Sequence, residues 1–432
     1  MTQLPIYNVN NNCATGSTGL HMARNLVSYG AADCVMVVGF EKMSAGSLQS
    51  FFQDRVNPTS TTSEMMKATR GISDGPATAQ MFGNAGREYM EKYVHLLAGP
   101  MSWNLPHKYH SNPTILSNRY GARVEDFAEI ARINHLHSAK NPYSQFRDVY
   151  SLEQILSSPT MHHPLTKLQC CPTSDGGAAT IVVSQTFLST HPNLIPNAVQ
   201  ITGQHLATDA PSLFDHSAIN LMGFRMSQAA ARTAYAEAGI QPSDVQVVEL
   251  HDCFSANELI TLDAIGLCEP GKAHEMVRKG DITYGGKCVV NPSGGLISKG
   301  HPLGATGLAQ CAELVWQLRG WANNRLVEDA KVAVSHNLGL GGAAVVTVYK
   351  RADGGRNEKV ENETMKGKGW LGYNPAVEAR GFTKEQVDKV RSRKARSAWA
   401  LGETEKKVEA RFWVAFYVIY VECSIICLEQ LW

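Results

Sequence analysis

One cysteine in a small-residue turn is the first group in this sequence that could do chemistry. Cys13 lies in the segment 10–19, which reads NNNCATGSTG and opens directly into an amphipathic helix. The free N–H groups and the positive dipole end of a first helical turn stabilise a thiolate, so this position predicts a lowered thiol pKa and a nucleophile. A buried and inert cysteine at a helix start is an equally good interpretation of this segment taken alone.

Two later turns carry groups that could serve a thiolate nucleophile. Such a nucleophile needs a base, a donor that stabilises an oxyanion and a proton source for the departing carbanion. His251 and Cys253 follow a near-continuous apolar strand, and His301 lies in the glycine-rich turn 300–304. A fourth turn, 337–342, supplies glycine-rich backbone. Because the carboxyl ends of strands in an α/β protein line one cleft, we expect the Cys13 turn and the turns 251–254 and 300–304 to converge.

Each of these groups also has a structural interpretation. A cysteine after a strand is, taken alone, more often part of the core than catalytic, and this applies to Cys253. His251 is ambiguous because its neighbour Asp252 is a common turn former. The glycine-rich surroundings of His301 leave less room for a purely structural role. The remaining histidines and one cysteine pair are interpreted as structural or surface side chains and as buried thiols: His135, His137, His162, His163, Cys170 and Cys171.

The pattern of apolar residues predicts alternating strands and helices around these turns. A short strand over 6–9, a helix over 20–29 and a buried strand over 33–39 form the strand–helix–strand pattern of parallel α/β proteins. A helix over 227–238 ends at Gly239, a residue suited to a left-handed cap. Further strands are predicted over 178–183, 198–203, 244–250, 287–291, 331–336 and 343–349, and further helices over 77–93, 125–138, 152–157, 256–267 and 308–318.

A short internal repeat divides the chain into two related halves. The segment 17–20, STGL, and the segment 305–308, ATGL, each open a helix that leads into a strand. Because more than a hundred residues precede the repeat within the second half, the symmetry predicts that the first half lacks its opening strands and helices. The predicted parts of the chain are a first half over 1–190 with a covering region over about 41–175, a second half over 191–351 and a charged tail over 352–432.

Composition excludes several classes of function. With 432 residues, 44% of them hydrophobic, the chain can bury a large core, and its net charge of +1 gives no reason to predict nucleic-acid binding. Ten cysteines without a CxxC pair, and an N-terminus unlike a secretory signal, predict free thiols in a reducing compartment and no structural metal.

In the tail, 383–399 is basic and predicted to be helical, whereas the apolar run 412–421 is too short for a membrane span. We expect a partner-binding or disordered end.

Four motifs taken in order resemble the thiolase superfamily. They are the segment 10–19, the His-Asp-Cys-Phe sequence at 251–254, the Gly-His-Pro-Leu-Gly sequence at 300–304 and the glycine-rich turn at 337–342. The His-Asp-Cys-Phe sequence is similar to that of the sterol carrier protein class of thiolases, and the similarity runs from about residue 5 to about residue 350. The resemblance implies two related α/β halves in a layered α-β-α-β-α arrangement, with the first half incomplete.

The resemblance also implies a role for each candidate residue. Cys13 would attack the 3-keto carbon of the substrate after His301 takes its proton. His251 would help His301 to stabilise the enolate oxygen. Cys253 would protonate the departing carbanion and then deprotonate the incoming CoA. The backbone N–H groups of Cys13 and Gly339 would form a second oxyanion hole for the acyl-enzyme step.

Asn337 is a departure from the general thiolase pattern. Most thiolases carry their acid/base cysteine at this position, so the resemblance moves that role to Cys253 and favours a catalytic rather than a core assignment for it. Two further departures are an insertion predicted over 94–119, in the region expected to cover CoA, and the lack of any resemblance to a lipid-binding domain or a peroxisomal tripeptide after about residue 352.

The activity implied by the resemblance is thiolytic cleavage of 3-oxoacyl-CoA. Substrates would include 2-methyl-branched and sterol side-chain compounds, and the products would be a shortened acyl-CoA plus acetyl-CoA or propanoyl-CoA. CoA would be a co-substrate, with no permanently bound cofactor, no metal and no residue yet assigned to CoA binding. A homodimer and a peroxisomal location in fatty-acid oxidation are implied, while the lack of a targeting signal leaves a cytosolic location open. The alternative is an inactive, thiolase-like acyl-CoA- or lipid-binding protein, and a condensing synthase acting on carrier-protein substrates is disfavoured.

Overall fold

The computed structural model describes residues 4–43, 54–57, 59–95, 121–368, 372–381, 383–385, 388, 414–416 and 420–421. The insertion predicted over 94–119 lies outside these residues apart from its first two positions, and so does most of the helix predicted over 383–399. No helix in this described part of the chain is both long and apolar enough to cross a membrane.

Helices of the described residues alternate with strands along most of the chain. In chain order they are α1 (Thr15–Ser28), α2 (Ser60–Arg70), α3 (Ala77–His95), α4 (Val124–Ser138), α5 (Leu152–Ser157), α6 (Gln185–Thr190), α7 (Ala218–Leu221), α8 (Phe224–Ala238), α9 (Ser255–Ala264), α10 (Ala273–Arg278), α11 (Thr306–Leu318) and α12 (Asn362–Lys368). Helix α8 ends at Gly239, whose φ of 60° is left-handed, and this confirms the predicted cap. A single π-helical turn, Gly295–Lys299, precedes α11.

The strands form two larger sheets and one short hairpin. They are β1 (Cys34–Glu41), β2 (Thr160–His162), β3 (Leu165–Thr166), β4 (Gly176–Val183), β5 (Val199–Ala207), β6 (Val247–Glu249), β7 (Val289–Val290), β8 (Ala333–Gly339), β9 (Ala343–Arg351), β10 (Val414–Phe416) and β11 (Tyr420–Val421). The first sheet has the order β1-β4-β10 and the second has the order β11-β5-β9-β8-β6-β7. Strands β7, β6 and β8 are parallel, so their carboxyl ends open on one edge of the second sheet.

Helices α1 and α11, which the internal repeat predicts, pack against each other and against strands of both sheets. Leu20 and Ala23 of α1 share a buried apolar cluster with Leu308, Cys311 and Leu314 of α11. Each fully buried leucine of this kind stabilises the fold by roughly 1.5–3 kcal/mol relative to an exposed one. The turn that opens each helix is therefore held next to the other.

Glycines let each of these turns lie in backbone contact with a strand, the turn before α11 with β1 and the turn before α1 with the end of β8. A Cβ atom on Gly39 would lie 2.2 Å from the carbonyl oxygen of Gly304, and one on Gly304 would lie 2.4 Å from the carbonyl oxygen of Phe40. On the other side, a Cβ atom on Gly339 would lie 2.3 Å from the carbonyl oxygen of Asn11. No side chain fits at these distances, so only glycine permits the approach. The backbone itself sets how far apart the turns lie.

The mixed sheets and helices confirm the predicted α/β class, with several local differences. The strand predicted over 6–9 is wrong: residues 4–10 belong to no strand, and Ile6 and Tyr7 are exposed. An extended segment becomes a strand only beside a hydrogen-bonding partner, and none lies beside it in the described part of the chain. Further differences are helices at positions where no helix was predicted, namely α2, α6, α7, α10 and α12. The boundaries of the two halves and of the tail stay predictions.

Candidate active site

Cys13 lies in a tight turn that ends where helix α1 begins. The N–H of Ala14 donates to the carbonyl oxygen of Asn11 at 3.1 Å, and Asn12 adopts a left-handed φ of 53°. Asparagine tolerates that conformation better than most residues, so the run of asparagines suits this turn. The Asn12 side chain also donates to the carbonyl oxygen of Leu340 at 3.0 Å, which ties the turn to the glycine-rich segment after β8.

His251 and Asp252 follow β6 after one intervening residue, Leu250. The buried Asp252 carboxylate accepts hydrogen bonds from the N–H groups of Leu296 at 2.7 Å and Ile297 at 3.3 Å. Both donors belong to the π-helical turn that leads to His301. Asp252 is therefore more than a turn former, because it anchors the segment that carries the second histidine.

Cys13, His251 and His301 come together in one cluster. The Cys13 sulfur and one ring nitrogen of each histidine lie within 4.8 Å of one another. The two imidazole centroids are 5.0 Å apart and their planes meet at 82°. Both histidines are buried, whereas Cys13 is partly exposed. The turns thus converge as the sequence predicts, with a thiol and two imidazoles at a spacing that could also hold a metal ion.

The hydrogen bonds of His301 identify which of its nitrogens is free to take a proton. Nδ1 lies 2.7 Å from Oγ1 of Thr306, and the Thr306 hydroxyl donates its own hydrogen to the carbonyl oxygen of Pro302 at 3.0 Å. The hydroxyl therefore accepts from Nδ1–H, which leaves a lone pair on Nε2. Nε2 is buried and has no partner within the described residues. Burial, with the Lys299 charge adding, lowers the pKa of His301 to about 3, so the ring is neutral.

The thiol of Cys13 is not activated by its helix, and the predicted lowering of its pKa is wrong. Desolvation raises the pKa of Cys13 to about 12, and the nearby Glu41 carboxylate adds to the shift. A charge at an exposed helix start gains only about 0.3–1 kcal/mol, less than one pKa unit, so desolvation outweighs it. The thiol stays protonated until a base removes its proton, and His301 is a base within reach.

Asn337 contacts His251, a pairing that the sequence analysis missed. The side-chain nitrogen of Asn337 lies 3.0 Å from Nδ1 of His251. Burial lowers the pKa of His251 well below its ordinary value, and the charges of His301 and His336 add to the shift, so the ring is neutral. The role of Thr306 was missed as well. The sequence signal that could have identified Asn337 and Thr306 is that each is a polar residue in a turn of mostly small and apolar residues.

Cys253 is buried and close enough to Cys13 to be affected by its ionisation, but it is not one of the three groups that lie within 4.8 Å of one another. Its carbonyl oxygen accepts from the N–H of Cys171 at 2.9 Å, and Cys170 forms an antiparallel bridge with Phe254. Desolvation raises the pKa of Cys253 well above its ordinary value, with Cys171 and Cys13 adding to the shift. A thiol that stays protonated suits a proton donor. Cys170 and Cys171, predicted to be buried, are partly exposed free thiols.

Gly339 and the histidines that were interpreted as structural or surface residues lie in different parts of the structure. Gly339 ends β8 against the Cys13 turn, and its share in an oxyanion hole stays a prediction. His135 and His137 are buried with their rings bonded to protein, which confirms their structural assignment. His162 is partly exposed and bonds to a side chain of α3.

Comparisons with known proteins identify the family. The family model described as "Thiolase, N-terminal domain" matches residues 1–95, and the one described as "Thiolase C-terminal domain-like" matches residues 209–351. "Non-specific lipid-transfer protein-like 2" of Caenorhabditis elegans is 46% identical over 354 residues, which cover 81% of this chain and 79% of that protein. The chain belongs to the thiolase family. The predicted family and the predicted thiolase-like fold are therefore confirmed.

A second relative bears on the predicted class of thiolase. "Sterol carrier protein 2" of Bos taurus is 53% identical over 351 residues, which cover 81% of this thiolase and 60% of that protein. The similarity to the sterol carrier protein class, predicted from the His-Asp-Cys-Phe sequence, is thereby confirmed. The chain spans about three fifths of the length of this curated relative.

Two solved structures share the fold of this thiolase. The "Ltp2-ChsH2(DUF35) aldolase" has a TM-score of 0.60 and 21% identity, covering 81% of this chain and 79% of that one. Human mitochondrial 3-ketoacyl-CoA thiolase has a TM-score of 0.53 and 17% identity, with the same coverage of both chains. At these identities the likeness concerns the fold alone.

Proposed function

We propose that this thiolase is an acyltransferase of lipid breakdown that cleaves 3-oxoacyl-CoA with CoA. The products are a shortened acyl-CoA plus acetyl-CoA, or propanoyl-CoA when the substrate is 2-methyl-branched or carries a sterol side chain of that type. The observation that supports this most directly is the cluster of Cys13, His251 and His301 within 4.8 Å, which joins a thiol, a neutral base and a second imidazole.

In the first step, Nε2 of His301 takes the proton of the Cys13 thiol. The raised pKa of Cys13 keeps the thiol protonated until that moment. The sulfur then attacks the C3 carbonyl carbon of the substrate, and a carbon–sulfur bond forms as the carbonyl electrons move onto oxygen.

In the second step, the C2–C3 bond breaks. The electrons on the C3 oxygen restore its carbonyl, which leaves the acyl group on Cys13, and the bonding pair passes to C2 as a thioester enolate. His251 and the now protonated His301 donate hydrogen bonds to the enolate oxygen. The Cys253 thiol protonates C2, and the short acyl-CoA is released.

In the third step, the Cys253 thiolate takes the thiol proton of an incoming CoA. The CoA sulfur attacks the acyl-enzyme carbonyl, whose oxyanion accepts from the backbone N–H groups of Cys13 and Gly339. Cys13 leaves as a thiolate and recovers its proton from His301. Every group returns to its starting protonation state, so the reaction needs CoA as co-substrate and no permanently bound cofactor.

We also propose that the protein acts in peroxisomes as a homodimer, with a cytosolic location as the alternative. The similarity to the sterol carrier protein class supports the peroxisomal location, and family resemblance supports the dimer. Gel filtration and organelle fractionation test these two points separately.

The decisive experiment incubates purified protein with a 3-oxoacyl-CoA and CoA and follows the acyl-CoA products by mass spectrometry. We expect turnover by the wild type and none above background by Cys13→Ser. The matched control is Cys34→Ser, which changes an exposed free cysteine and should leave turnover intact. Equal rates for the wild type and Cys13→Ser would contradict the proposal, and acyl-CoA binding without turnover would favour an inactive acyl-CoA-binding protein.

A further inference from the structure

Asn337 reaches His251 because of the register of two parallel strands. Strands β6 and β8 pair so that Glu249 lies beside Ser335, and continuing that register brings position 337 beside position 251. Nδ2 of Asn337 lies 3.0 Å from Nδ1 of His251, and both residues are buried. Because both side chains are buried, this contact favours one placement of the hydrogen on the ring.

The chemistry of the contact places that hydrogen on one nitrogen. In the structure the amide nitrogen of Asn337, not its oxygen, faces Nδ1 of His251, and an amide nitrogen acts only as a donor, so in this orientation Nδ1 accepts. The single hydrogen of the neutral ring then lies on Nε2. Burial keeps the ring neutral, because it lowers the pKa of His251 well below its ordinary value.

His301 has the opposite arrangement. Its Nδ1–H donates to Thr306, and its lone pair lies on Nε2. Two rings with centroids 5.0 Å apart therefore present different groups, an N–H from His251 and a lone pair from His301. One ring can take the Cys13 proton while the other already offers a hydrogen to an oxygen atom.

We propose that Asn337 is a positioning residue that holds His251 as an Nε2–H donor to the thioester oxygen of the bound substrate. This inference rests on the proposed function. With the hydrogen on Nδ1 instead, the lone pair of Nε2 would face the enolate oxygen and would compete with His301 for the Cys13 proton. Losing a preorganised donor of this kind lowers kcat by about 100- to 1000-fold.

Nitrogen-15 NMR of protein labelled at histidine tests the proposal, with His251 assigned by the signals that His251→Gln removes. We expect Nε2 of His251 to be protonated in the wild type and Nδ1 to be unprotonated. Asn337→Asp has nearly the same size, but its carboxylate accepts where the amide donated, so we expect the hydrogen to move to Nδ1. We expect kcat to fall about 100-fold with KM little changed.

A matched control separates this effect from the general cost of a buried Asn-to-Asp change. Asn374 is buried, and its side chain donates to the carbonyl oxygen of Trp321 at 2.8 Å, outside the cluster. Asn374→Asp should therefore leave the His251 signals and kcat as they are in the wild type.

Two results would overturn the proposal: a wild-type His251 with its hydrogen on Nδ1, or an Asn337→Asp variant that moves the hydrogen but keeps the wild-type kcat. The wild-type spectrum can be recorded without a folded variant and without turnover. A protein that fails to cleave 3-oxoacyl-CoA would contradict the proposed function, but its spectrum would still determine the tautomer of His251.

Discussion

The hydroxyl of Thr306 lies 2.7 Å from Nδ1 of His301, at the point where helix α11 begins. The same hydroxyl donates to the carbonyl oxygen of Pro302, so its lone pairs alone face the ring. The base, His301, and the residue that orients it, Thr306, thus lie only five residues apart in the chain. Their relative position depends little on the rest of the fold.

Replacing Thr306 tests this relationship. Thr306→Val removes the acceptor for Nδ1–H and leaves a buried donor unpaired, so we expect kcat to fall at least about tenfold. Thr306→Ser keeps the hydroxyl and should retain most of the activity. Steady-state kinetics of both variants is the measurement, and equal kcat values for valine and serine would refute a role for the hydroxyl.

The reactivity of Cys13 should depend on pH in an unusual way. A pKa of about 12 means that the thiolate fraction rises with pH throughout the neutral and mildly alkaline range. We expect the rate of alkylation by iodoacetamide to increase about tenfold per pH unit from pH 7 to 10, whereas an ordinary thiol with a pKa near 8.5 levels off. Mass spectrometry of the Cys13 peptide, with glutathione as the reference thiol, measures both profiles. A plateau below pH 9 would place the pKa of Cys13 below 9 and would contradict this prediction.

The contact between Gly39 and Gly304 should be intolerant of a methyl group. In Gly39→Ala the new Cβ atom would overlap the carbonyl oxygen of Gly304, so the turn that carries His301 must shift. We expect a lowered melting temperature and at least about a tenfold loss of kcat, because misplacing a reacting group by an ångström is costly. Gly355→Ala is the control, since its Cβ atom would meet side-chain atoms alone, the nearest being an oxygen of Asp353 at 3.2 Å and Nε of Arg351 at 3.7 Å. A variant at Gly39 that matches this control in both measurements would contradict the prediction.

A buried ion pair should dominate the stability of the second half. Arg325 and Glu313 are buried, and their charged groups lie 2.8 Å apart. Arg325→Met leaves a buried carboxylate without its partner, and we expect a loss of about 3–5 kcal/mol in the free energy of unfolding measured in urea. The double variant with Glu313→Leu should lose less than Arg325→Met alone. Asp353→Asn breaks a more exposed pair with Arg351 and should cost less than about 1 kcal/mol.

The reacting groups could be predicted from the sequence because their positions follow from local rules. His251 comes directly after an apolar strand, and His301 lies between a glycine and a proline before a helix. Strand ends of an α/β sheet face one cleft, so their convergence with Cys13 needed no knowledge of the side-chain packing.

The properties that control those groups could not be predicted, because each depends on contacts between distant parts of the chain. The hydrogen on His251 is set by Asn337, which lies 86 residues away. The pKa of Cys13 depends on how much protein covers the thiol, and the local helix effect gave the wrong direction. The segment 6–9 has an extended, apolar pattern, but a pattern cannot supply a neighbouring strand.

Main-chain contacts fix both turns that carry the reacting groups: Gly304 of the His301 turn lies against Gly39 of β1, and Gly339 lies against the carbonyl oxygen of Asn11 in the Cys13 turn. Under the proposed function, side-chain substitutions around the acyl group would therefore change which acyl groups are accepted, while the reacting atoms keep their spacing. Such a scaffold can broaden or narrow its substrate range over evolution without rebuilding its chemistry.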